Sequence, residues 1–87
     1  MVEGKTRTGF EFRLEDEALD DYELLETLQR IDEGEYQLTT AMVDMLLGKD
    51  QKEALKEHVR GDNVRVSAQR MLEEVMEIFE TSNEGKN

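Results

Sequence analysis

Between Ser67 and Thr81 the apolar residues keep one spacing. Ala68, Met71, Leu72, Val75, Met76, Ile78 and Phe79 share one broad face of a 100° wheel. Glu73, Glu74, Glu77 and Glu80 share the other. Apolar side chains recurring every three to four residues specify an amphipathic helix. Such a helix cannot bury its stripe alone, so the rest of the chain must offer a second apolar surface. Only 87 residues are available to supply it, room for one domain spanning 1–87. A chain of this length buries about 60–65% of the surface its unfolded form exposes. That allows a modest core and little spare stability for a deep catalytic cavity.

Three further segments read as helices. The first is predicted to start near Asp20, a capping residue with Glu23 three positions on, and to end at Gly34. Leu24, Leu25, Leu28 and Ile31 share its apolar face. The second is predicted over 36–47, ending at Gly48. Leu38, Ala41, Met42, Val43, Met45, Leu46 and Leu47 leave only Gln37, Thr40 and Asp44 as a polar strip. A helix apolar nearly all round is buried on most sides. It is either the central helix or half of an interface, and the central role is the expected one. The third is predicted from Asp50, with Glu53 again in capping-box position, to Gly61. Ala54, Leu55, His58 and Val59 form its thin apolar face, and Lys49, Lys52, Lys56 and Arg60 its basic side.

The N-terminal stretch has a different period. Phe10, Phe12 and Leu14 alternate with Glu11 and Arg13, the pattern of a half-buried strand. A strand needs a neighbour for its backbone groups. Residues 2–7 can supply one through a hairpin; the alternative is pairing with another chain. The expected fold is thus mainly α: about four helices with a short N-terminal β-strand or hairpin, residues 1–8 and 81–87 being flexible.

Charge is distributed unevenly. The net charge is −11, and residues 15–35 hold ten acids against one arginine. Residues 49–70 carry six basic and four acidic groups. A chain of this sign repels phosphate, which argues against direct nucleic acid binding. The basic third helix is expected to fold over the acidic first one and neutralise part of it. Charged residues make up 38% and hydrophobic ones 37%, polar for a globular domain but short of the composition that forces disorder. There is no cysteine, which excludes disulfides and thiolate metal sites. No apolar run approaches the roughly 20 residues a membrane span needs, and "MVEGKTRTG" lacks the apolar stretch of a signal peptide. A soluble cytoplasmic protein is expected, with no membrane partner.

Residues that could carry chemistry are few. The carboxylates lack the ligand alternation of an EF-hand and read as solvated helix faces. His58 is the single histidine, too few for a zinc site without cysteine. No serine or threonine adjoins it in sequence, and no glycine-rich phosphate loop follows a strand. No catalytic residue, metal ligand or cofactor is expected. Met42, Met45, Met71 and Met76 all fall on inward faces. Methionine fills irregular cores and also lines adaptable binding grooves.

Three segments in this order, "GFEFRLEDEALDDYELLETLQRIDEGE", "LLGKDQKEALKEHVR" and a Met/Glu-rich helix ending "MEIFE", resemble tail assembly chaperones. These belong to long-tailed phages and prophages of Gram-positive bacteria. The resemblance covers about residues 9–80. It implies a protein of virion morphogenesis, acting in the host bacterial cytoplasm and absent from the mature virion. Its partners would be the tape measure protein, which it coats, and the tail tube protein, which it recruits. It also implies a longer form made by translational frameshift, with Gly85–Lys86 where a slippery run would be encoded. The family has no catalytic residues to carry over.

On this reading Met42, Leu46, Met71 and Phe79 border a client or self-association surface, and Phe10 and Phe12 lie on a strand able to pair with a second copy. Two rivals differ in kind. An acidic DNA mimic would block a nucleic-acid-binding enzyme by imitating rows of phosphates. A structural dimer or adaptor would assemble through Phe10–Leu14 or through apolar helix faces.

Overall fold

The computed structural model describes residues 1–84. The Gly85–Lys86 pair and Asn87 lie outside the described residues. Strands β1 (Val2–Lys5) and β2 (Glu11–Leu14) pair antiparallel with Val2 opposite Leu14 and Gly4 opposite Phe12. The intrachain hairpin is therefore the partner that β2 uses. Its turn is closed by Thr6 N donating to Phe10 O at 2.9 Å and by Phe10 N donating to Thr6 Oγ1 at 3.1 Å. Phe10, Phe12 and Leu14 are buried, while Glu11 and Arg13 face water, as period-two patterning requires. Gly4 is the residue that the hairpin cannot exchange. A Cβ there would stand 2.7 Å from Phe12 Cζ, because the Phe12 ring lies across it.

The acidic segment breaks where two aspartates follow each other. A one-turn helix α1 (Asp16–Leu19) precedes α2 (Tyr22–Asp32), and Asp21 rather than Asp20 caps α2 by accepting from Glu23 N at 2.9 Å. Adjacent short carboxylates compete with the helix for backbone N–H groups, so they punctuate it. Leu24 and Ile31 are buried, but Leu25 is 47% exposed. Leu25 lies 100° round the helix from Leu24, so the buried strip is narrower than the wheel suggested. Beyond Gly34 (φ 110°), a 3-10 turn (Tyr36–Leu38) leads directly into the longest element.

Helix α3 (Thr39–Arg60) contains both segments predicted on either side of Gly48. They are two helical arms separated by a kink at that glycine, whose φ of 78° and ψ of 171° are non-helical. The first arm buries Met42, Val43, Leu46 and Leu47, and the second buries Leu55 and Val59. Packed against α1, α2, α4 and β2, α3 is the central helix. Gln51 acts at the bend. Its Nε2 donates to Leu47 O at 2.9 Å and to Arg13 O at 2.6 Å, and its Oε1 accepts from Arg13 N at 2.7 Å. The amide thereby takes the place of a neighbouring strand for one residue of β2's outer edge.

Helix α4 (Ala68–Glu84) is capped by Ser67 Oγ, which accepts from Arg70 N at 3.2 Å. It continues past Thr81, and Ser82 is buried. Met71, Val75, Ile78 and Phe79 join the hairpin and α3 in one core. The radius of gyration, 12.3 Å, matches the about 12 Å expected of a folded chain this long.

Candidate functional site

A concavity lies between α3 and the start of α4. Val43 and Met71 form its buried floor. Val66, Ala68 and Leu72 line one side, and Tyr36, 63% exposed, stands at the rim. Its volume is about 810 Å³. Thr39 and Thr40 come from the first arm of α3, and Lys52 and Lys56 from the second, so residues on both sides of the Gly48 bend meet there. Ala68 was read as inward-facing. It is exposed, and its small side chain leaves the groove open.

The residues singled out from sequence lie mostly beneath this surface. Met42, Leu46, Phe10, Phe12 and Phe79 are buried in the core, between 0% and 8% exposed. So small a domain consumes its largest apolar side chains in packing, and a buried side chain offers a partner almost no area. Met71 alone of the six also lines the groove. The accessible apolar surface comes instead from Tyr36, Val66, Ala68 and Leu72. Their contribution was hidden because it depends on how α4 is rotated against α3, which periodicity within one helix does not set.

A second cluster joins residues distant in sequence. Thr8 Oγ1 donates to Glu74 Oε2 at 2.9 Å and lies 2.9 Å from His58 Nε2. A hydroxyl has one proton, and the carboxylate receives it, so His58 Nε2 must donate to Thr8. His58 therefore cannot serve as a base toward Thr8 in this arrangement. The Phe10 ring rests against the imidazole at 5.5 Å. Glu74, assigned from sequence to the solvent face, is buried, and its Oε1 has no partner among the described residues. Arg7 N donates to Glu77 Oε2 at 2.8 Å beside it. Together these bonds fasten the hairpin turn to α3 and α4, a structural task. Among the described residues no group of three or more histidine or carboxylate side chains is placed to hold a metal ion.

The charge pattern also differs from expectation. Among the described residues no ion pair joins residues 15–35 to the basic second arm of α3. Lys52 pairs with Asp44 across the bend at 3.2 Å, and Lys56 with Glu53 at 3.3 Å. Among the described residues, Asp16 and Glu35 are the two of the ten acids in 15–35 that have ion-pair partners. Short pairs along one helix form at little entropic cost, so they take up lysines that α2 would otherwise compete for. The Arg30–Glu35 pair is a two-pronged fork with both bonds at 2.9 Å. That hydrogen bonding, reinforced by the opposite charge, holds the Glu35 carboxyl below its ordinary range and raises the Arg30 guanidinium.

No protein family, curated protein or solved structure matches this chain. Among the described residues, no helix is long and apolar enough to cross a membrane.

Proposed function

We propose that this protein is a tail assembly chaperone, a binding module without catalytic chemistry. It engages the tape measure protein before the tail tube polymerises and helps recruit tube subunits, in the bacterial cytoplasm rather than the finished virion. The observation that carries the reading is the open groove. An apolar floor with a polar rim and two lysines is suited to seat one face of an amphipathic helix. A segment on which the resemblance rests, "LLGKDQKEALKEHVR", supplies Lys52 and Lys56 to it. A long helical client with uncovered apolar stripes would be kept soluble by such contacts.

The test is co-expression with a tape measure protein of a long-tailed phage. The expected result is a soluble complex that co-purifies, and that Ala68→Arg in the groove disrupts without unfolding the chaperone. A client left insoluble and unbound by well-folded protein would refute the assignment.

A second reading, the acidic DNA mimic, is favoured by the eight carboxylates of 15–35 that have no ion-pair partner among the described residues. Salt separates the two. Binding through phosphate-like charge collapses steeply as ionic strength rises, whereas apolar docking changes far less.

A further inference from the structure

We infer that the groove between α3 and α4 accepts helix α2 of a second copy of this chain, with Tyr22 and Leu25 entering the groove and Glu23 and Glu26 meeting Lys52 and Lys56. Tyr22 is 75% exposed and Leu25 47%. They stand three residues apart, hence on one face of α2, an apolar pair set among carboxylates. Among the described residues, Tyr22 is left largely uncovered and Leu25 about half so. The groove offers the converse arrangement, apolar lining from Val66, Ala68 and Leu72 beside two cations. Among the described residues of one chain those lysines pair with Asp44 and Glu53, both at exposed positions. Exposed pairs of this kind are worth little and exchange readily. Each surface thus carries what the other lacks, in both polarity and charge.

The two surfaces are different patches, so the contact is heterologous and propagates from copy to copy unless the rotation closes it. Self-association requires no client, and it holds or fails independently of the chaperone reading. A client helix in the groove would compete with it.

Sedimentation equilibrium of the full chain over a wide concentration range tests the inference. The weight-average mass should climb above the 10.1 kDa of one chain. Glu23→Lys with Glu26→Lys moves the net charge from −11 to −7, two acids becoming two lysines. If general repulsion governed association, that variant would associate more strongly; α2–groove docking predicts association weaker by about tenfold or more. Lys52→Glu with Lys56→Glu should weaken it too, and a mixture of the two charge-reversed variants should regain it. Leu25→Ser and Ala68→Arg, both at exposed positions, should weaken it with the thermal unfolding curve unchanged. A mass that stays at one chain throughout, or a Glu23→Lys/Glu26→Lys variant that associates as well as the unaltered chain, would overturn it.

Discussion

Gly4 and Phe12 show how tightly single residues are constrained here. Replacing Gly4 by alanine puts a methyl 2.7 Å from a ring that is itself 3% exposed and cannot swing away. The expected cost is about 1–3 kcal/mol of stability, read by denaturant unfolding. Thr8→Val should cost a similar amount, about 1–3 kcal/mol, because it leaves the buried Glu74 carboxylate without the hydroxyl it accepts from. Gln51→Ala removes both bonds to Arg13 and should cost about 1–2 kcal/mol. The same change bares β2's outer edge, so stronger strand-mediated association should accompany the lower stability. With Gln51 in place, pairing of a second copy along Phe10–Leu14 is obstructed at Arg13. None of these three pairings was legible in the sequence. Gln51 and Arg13 stand 38 positions apart and Thr8 and Glu74 66, and no local pattern announces them.

Elements were more legible than contacts, because helix ends are written locally. Gly34, Gly48 and Gly61 all stand at helix ends or bends with positive φ, and each was placed there from sequence. The alternation of Phe10, Phe12 and Leu14 likewise placed β2, since its buried face needs only period two. What local reading missed was the split of the acidic stretch into α1 and α2; the break read at Gly48 is present as a non-helical kink. At Gly48 a Cβ would meet nothing within 4 Å, so the penalty of Gly48→Ala is backbone strain alone. It should be about 1–2 kcal/mol, and the straightened or weakened bend should reduce client binding along with stability. The end of α2 carries a pH signature. Glu35's folded-state carboxyl lies below its ordinary value, so the fork's contribution is fully present above the unfolded carboxylate range. It is lost as pH falls through the lower, folded value. Glu35→Gln should therefore lower the melting temperature slightly at neutral pH and make no difference in strong acid.

At the scale of the molecule, the basic arm of α3 is neutralised from within α3 rather than by the acidic stretch. The acidic stretch was expected to lie against the basic arm of α3, yet their charged groups do not pair among the described residues. Lys52 and Lys56 line the groove paired with Asp44 and Glu53, while most carboxylates of α1 and α2 have no ion-pair partner among the described residues. Net charge and its distribution along the chain were readable from sequence; which side each charge would occupy was not, because that follows from helix rotation. A groove that binds an apolar helix is the claim on which the functional account turns. Backbone hydrogen exchange, measured on the protein with and without the proposed tape measure client, tests it most directly. The account predicts slowed exchange confined to the groove walls, residues 36–43, 52–56 and 66–72. Slowing over residues 15–35 with the groove walls unchanged would contradict it.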